Sequence, residues 1–95
     1  MDKKIAYQEK MDAQLREWSA KIDQLKAKAD KAKAEAKIEY YDQIEALKAK
    51  QKVVQAELQK LKASGEEAWE KVRTGVENAW GEMKSAVEGV AARLK

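Results

Sequence analysis

The chain has 95 residues, of which 44% are hydrophobic and 39% are charged, and its formal net charge at pH 7 is +3. This length allows one domain, and this composition is typical of long helices rather than of a compact globule. The chain contains no cysteine and no histidine, so disulfides are excluded and the commonest ligands of zinc, copper and haem are missing. We therefore predict that the protein is not an enzyme, with no catalytic residue, cofactor-binding residue or metal site.

The N-terminal sequence, Met1 to Gln8, lacks the apolar run of a secretory signal. No stretch approaches the roughly 18 apolar residues that a transmembrane helix needs. These two features predict a cytoplasmic protein.

The first predicted helix covers residues 2–63. From Met11 to Leu61, apolar or small residues recur every three or four positions, with a mean period of about 3.6 that matches an α-helix. No proline or glycine interrupts this stripe. The pattern predicts one continuous rod of about 60 residues, roughly 90 Å long at 1.5 Å per residue.

A turn is predicted at residues 64–65. Gly65 is suited to the backbone conformation that ends many helices. Ser64 and Glu67 have the spacing of a capping box, in which the two side chains satisfy the first N–H groups of the next helix. A second helix of about 29 residues is therefore expected at residues 66–94.

The second helix contains an 11-residue repeat, in which residues 67–77 align with residues 78–88 and Trp69 aligns with Trp80. Eleven residues make three turns, so the repeated apolar residues stay on one face. We predict that this face packs in a hairpin or contacts a surface through Trp69, Val72, Val76, Trp80, Met83 and Val87.

The predicted fold class is all-α. Residues 1–95 are predicted to form a single helical domain, a long antiparallel helical hairpin of the coiled-coil kind.

A hairpin closed at residues 64–65 sets the second helix against residues 35–62 and leaves the N-terminal part of the stripe without a partner. Such a patch favours self-association, most simply as an antiparallel homodimer. The residues assigned to it are Met11, Leu15, Trp18, Ile22 and Leu25. Three further apolar residues lie off the stripe and are available to a third helix: Ile38, Tyr41 and Val53.

A lysine- and alanine-rich tract at residues 26–37 is similar to nucleic-acid-binding tails. Asp30 and Glu35 interrupt it, and it contains no aromatic residue that could stack on a base. We interpret the tract as a solvated helix and expect no nucleic-acid partner.

The tryptophan-bearing repeat supports an alternative function. Tryptophan and valine on one face with charges on the other suit a membrane surface, although residues 63–95 carry five basic and six acidic side chains, so anionic lipid would not attract them. The alternative is a conditionally folded amphipathic protein that contacts membrane surfaces or protects client proteins.

The sequence resembles a family of small bacterial coiled-coil stress-response proteins first noted in cyanobacteria. The likeness is carried by four segments: Met1-Asp2-Lys3-Lys4, Gln14-Leu15-x-x-Trp18, Leu25-Lys26-Ala27-Lys28-Ala29, and Gly65-x-x-Ala68-Trp69-x-x-Val72-x-x-Gly75-Val76-x-x-Ala79-Trp80. It extends over nearly the whole chain, and the doubled Ala-Trp repeat is its most specific element. Gly81 departs from the pattern, since similar proteins more usually carry an acidic residue there.

The resemblance implies a cytoplasmic helical protein with a stress-related role and no catalytic or cofactor residues. Together with the unpartnered stripe, it predicts a non-enzymatic structural or interaction protein that self-associates and binds a protein client.

Overall fold

The computed structural model describes residues 2–94 and contains three helices: α1 (Lys3–Asp30), α2 (Ala34–Ala63) and α3 (Trp69–Arg93). The helices form an elongated bundle of 51 × 19 × 17 Å. The prediction of an all-helical chain is confirmed. The prediction of two helices is wrong, because the expected 60-residue rod is divided into α1 and α2.

The division lies at Lys31, Ala32 and Lys33. The N–H of Ala32 still donates to the carbonyl of Ala29 at 3.0 Å, and Lys33 then turns to an extended conformation with φ −63° and ψ 149°. None of these residues is a helix breaker, and alanine and lysine favour helices. The cause of the break therefore lies outside the segment.

Burial of the N-terminal stripe explains the break. Met11, Leu15, Ile22 and Leu25 retain at most 8% of their surface exposure, within the same chain. Burying a side chain of this size contributes roughly 1.5–3 kcal/mol, whereas each helical hydrogen bond lost at the break is worth only about 0.5–1.5 kcal/mol. The turn also falls in the alanine-rich part of the stripe. The small side chains there bury little apolar surface, so a break at this point costs little packing.

The three helices run up, down and up. Lys62 Nζ lies 3.1 Å from Asp12 Oδ1, and Gln51 Nε2 donates to Ser19 Oγ, which makes α1 and α2 antiparallel. Arg93 lies 3.6 Å from Glu39, at the opposite end of α3 from its junction with α2. These pairs place α2 antiparallel to both of its neighbours, so α1 and α3 are parallel.

The connection at residues 64–68 also differs from its prediction. The Ser64 hydroxyl donates back to the Leu61 carbonyl at 2.6 Å instead of capping the next helix. The N–H groups of Ala68 and Trp69 donate to the Gly65 carbonyl at 3.1 Å. α3 begins at Trp69 rather than residue 66, without a side-chain cap, and no glycine in the described chain has a positive φ.

Lys4 joins two helices at the end of the bundle where this connection lies. Its ammonium donates to the carbonyl of Lys62 at 3.1 Å and to the carbonyl of Ser64. The last carbonyls of a helix lack partners within the helix and attract positive charge. Lys4 therefore fastens the beginning of α1 to the end of α2.

The core is continuous along the bundle, and every buried residue between residues 2 and 94 is apolar. The interface of α2 with α3 is the largest of the three and that of α1 with α3 is the smallest. The buried residues are Met11, Leu15, Ile22, Leu25, Ala29, Ile44, Leu47, Val54, Leu58, Leu61, Trp69, Val76, Ala79, Met83, Val87, Val90 and Leu94.

Candidate functional site in the aromatic seam between α1 and α3

The parallel helices α1 and α3 meet in a seam that contains two aromatic pairs. The rings of Tyr7 and Trp69 have centroids 6.0 Å apart and are tilted by 38°. Those of Trp18 and Trp80 lie 5.9 Å apart at 76°, an edge-to-face arrangement. Pairs of this geometry contribute about 0.5–1.5 kcal/mol beyond the area they bury. We call these four residues, together with Arg73, the aromatic seam.

An 11-residue spacing on both helices creates the seam. Tyr7 and Trp18 are eleven residues apart on α1, and Trp69 and Trp80 are eleven residues apart on α3. Because eleven residues complete three helical turns, each helix presents both aromatic residues on one face. Two parallel helices with the same spacing can therefore pair their aromatic residues twice in register.

Arg73 covers the first aromatic pair. Its guanidinium carbon lies 5.9 Å from the centroid of Tyr7 and 5.7 Å from that of Trp69. Its Nε also lies 3.6 Å from Glu77 Oε1, one turn further along α3. A cation over an aromatic face at a partly exposed site contributes about 0.5–1 kcal/mol, so Arg73 strengthens the attachment of α1 at this end.

The Tyr7 hydroxyl lowers the stability of this aromatic pair. Its oxygen is buried and has no hydrogen-bond partner. Burial raises the pKa of Tyr7 above its usual 10.0, Glu77 raises it further, and Arg73 opposes the rise. An unsatisfied buried hydroxyl costs about 1–3 kcal/mol. The unsatisfied Tyr7 hydroxyl therefore reduces the stability of the packing of α1 on α3.

The residues predicted to mediate self-association lie inside the bundle. Met11, Leu15, Ile22 and Leu25 are buried against the other helices of the same chain, and Trp18 is half-buried against Trp80. The premise that the second helix cannot reach this stripe is wrong, since the turn at residues 31–33 brings the stripe back onto α2 and α3. Self-association itself stays a prediction, without an exposed stripe to motivate it.

The residues predicted to pack the hairpin lie in or against the same core. Trp69, Val76, Met83 and Val87 are buried, and Val72 and Trp80 are partly buried against the buried set. Trp69 and Trp80 each pack against an aromatic residue of α1, a neighbour absent from the hairpin prediction. This face of α3 is thus shared between α1 and α2.

Sequence reasoning missed Tyr7 and Arg73 as members of the site. A signal for Tyr7 was present, because its distance from Trp18 equals the distance from Trp69 to Trp80. Of the off-stripe residues expected to serve a third helix, Ile38 and Val53 are 71% and 51% exposed. Tyr41 instead closes the turn between α1 and α2, where its hydroxyl donates to Asp30 Oδ1 and this bond raises its pKa.

Across residues 2–94 the structure shows no group of three or more acidic side chains placed to hold a metal ion. None of the three helices is both long enough and apolar enough to cross a membrane. No family model, curated protein or solved structure matches the chain. The resemblance to the stress-response family therefore stays a prediction from the motifs.

Proposed function

We propose that the protein is a non-enzymatic interaction protein that binds other helices by releasing α1 from its own bundle. The observation that carries this proposal is the composition of the core, which in the described chain consists only of apolar residues from three amphipathic helices. Side chains of this kind recognise partners by helix packing. The stress-related role and the cytoplasmic location implied by the family resemblance belong to the same proposal.

The attachment of α1 supports its assignment as the released helix. α1 makes the smallest interface of the bundle with α3, and this interface includes the unsatisfied Tyr7 hydroxyl. The polar contacts of α1 with α2 involve partly exposed side chains, such as the pair formed by Asp12 and Lys62. Exposed ion pairs contribute little to stability, typically 0–1 kcal/mol. By contrast, α2 and α3 share the largest interface.

The experiment that tests this proposal offers the full chain a second α1. A fluorescein-labelled peptide of residues 2–32 is titrated with the protein, and binding is followed by fluorescence anisotropy. The tethered α1 competes at an effective concentration in the millimolar range, so the titration extends to about 1 mM. We expect the peptide to bind by replacing α1.

The matched control is the same peptide with Ile22→Glu and Leu25→Glu, which places charges at two core positions that are 2% and 0% exposed. The control peptide should not bind, because a charge buried without a partner is costly. Equal anisotropy changes with the two peptides, or no change with either, would contradict the proposal.

A membrane surface is a second candidate partner, favoured by one observation. α3 is the most strongly amphipathic of the three helices, with Trp69 and Trp80 on its apolar face. This candidate predicts that phosphatidylcholine vesicles shift the tryptophan emission to shorter wavelength and displace α1. Unchanged emission with neutral and with anionic vesicles would remove it.

A further inference from the structure

The turn between α1 and α2 lacks the features that normally end a helix. It contains no glycine or proline. Lys33, the N-cap of α2, forms no side-chain capping bond, whereas Asp2 at the start of α1 accepts from the Lys4 N–H at 2.9 Å. The first N–H groups of α2 therefore lack the acceptors that a capping side chain would supply. They would find acceptors in the carbonyls of α1 if the helix continued.

The contacts between α1 and α2 keep a constant antiparallel register. Five polar contacts join α1 to α2 and its C-cap: Lys4 with Lys62, Lys4 with Ser64, Asp12 with Lys62, Ser19 with Gln51, and Asp30 with Tyr41. The midpoint of each pair falls between residues 33 and 37. Two straight helices crossing antiparallel at that point would therefore repeat all five contacts, each formed between two chains instead of within one.

We infer that the protein forms a domain-swapped dimer in which Lys31, Ala32 and Lys33 become helical and α1 of each copy packs on α2 and α3 of the other. The partner is a second copy of this chain, and this inference rests on the release of α1 in the proposed function. Short connections that join helices with identical contacts available in trans are a recognised route to such dimers.

The residues at the crossing point suit a close approach of two helices. The stripe there is formed by Ala29, Ala32 and Ala36. Small side chains at a contact allow helix axes to come closer together. In the swapped dimer each α3 stays on its own α2 through the 64–68 connection, and Trp18 of one copy meets Trp80 of the other.

A proline at residue 34 distinguishes the two states. Ala34 is the first residue of α2 and follows an extended Lys33, a position where proline is well tolerated. In the straight helix, residue 34 is an interior position where proline removes a hydrogen bond and clashes with the preceding turn. We expect Ala34→Pro to leave the monomer folded and to weaken dimerisation at least about 100-fold.

The matched control is Lys3→Pro, which places proline at the first residue of α1 after the extended Asp2. That position begins a helix in the monomer and in the swapped dimer alike. Wild type and both variants are concentrated, warmed to just below the unfolding midpoint, cooled, and measured by light scattering after size exclusion. Wild type and Lys3→Pro should yield dimers, and Ala34→Pro should stay monomeric.

Cross-linking shows whether a dimer is swapped. The chain has no cysteine, so Ser19→Cys with Gln51→Cys introduces one pair across the α1–α2 interface. A short bismaleimide should link this pair within a monomer but between the chains of a swapped dimer, which then survives denaturing electrophoresis. Each single variant should run as a monomer under the same conditions.

Three outcomes would overturn the swap: wild type that stays monomeric after warming, cross-linked dimers that separate on denaturation, or dimerisation of Ala34→Pro equal to wild type. If the peptide of residues 2–32 still binds in trans, these outcomes remove the swapped dimer alone. If that peptide also fails to bind, the release of α1 fails with it.

Discussion

The α2–α3 hairpin and the α1 helix that completes the bundle are held by different means. The hairpin has the largest interface and a connection marked by Ser64 and Gly65. α1 has the smallest interface with α3 and a connection composed of residues that favour helix. A helix can thus end because of the side chains that its two halves bury, and not because of any residue at the break.

Truncating a buried side chain of α1 should have a large effect on stability. Leu25 is completely buried on α1, and truncating such a leucine to alanine typically destabilises a protein by about 2–5 kcal/mol. We expect Leu25→Ala to lower the free energy of unfolding by that amount, measured by urea denaturation. Ile38→Ala is the control, since Ile38 is 71% exposed and should change stability by no more than about 0.5 kcal/mol. Equal effects of the two substitutions would show that α1 is not packed as described.

The Tyr7 hydroxyl provides a test with the opposite sign. Because this oxygen is buried without a partner, Tyr7→Phe should raise the free energy of unfolding by about 1 kcal/mol. Tyr41→Phe is the matched control, because it removes a hydroxyl that donates to Asp30 and should lower stability slightly. A loss of stability in Tyr7→Phe would mean that the hydroxyl is satisfied.

The same tyrosine predicts a pH dependence. The pKa of Tyr7 is raised in the folded state, so the folded protein holds this proton at a pH where the unfolded chain has lost it. Stability must then fall as the pH rises above 10.0, the usual tyrosine value. Thermal unfolding between pH 9 and 11 should show a steeper loss for wild type than for Tyr7→Phe, and parallel profiles would contradict the assignment.

The sequence contained the periodicity of the helices, and with it the residues that face the core. Leu58, Val76 and Met83 are buried where the stripe predicted. The end of α1 could not be read in the same way, because the tract around Ala32 has no local signal and the break depends on contacts between residues far apart in the chain. The 11-residue spacing of Tyr7 and Trp18 was present in the sequence. The pairing of Tyr7 with Trp69 could not be predicted from it, because this contact requires the parallel register of α1 and α3, which exists only once the break has formed.

A smaller effect tests the connection between α2 and α3. Ser64→Ala removes the bond from the Ser64 hydroxyl to the Leu61 carbonyl and should cost about 0.5–1.5 kcal/mol. Glu67→Ala should cost less, because the capping box that would involve Glu67 is not formed. Urea denaturation of the two single variants distinguishes the observed Ser64 bond from a capping box, since a capping box would make both substitutions destabilising.

Substitution of Gly65 should have the smallest effect on the free energy of unfolding, and the sign of that change is informative. A Cβ atom at residue 65 would meet no other atom within 4 Å, and Gly65 does not have a positive φ. Under these conditions Gly65→Ala should stabilise the protein by about 0.4–1 kcal/mol, because alanine restricts the unfolded chain. In the left-handed conformation that the sequence suggested, the same substitution would instead cost roughly 1–2 kcal/mol. A lower midpoint of urea denaturation would therefore restore the glycine cap as the feature that ends α2, and a higher midpoint would show that both connections form without left-handed residues.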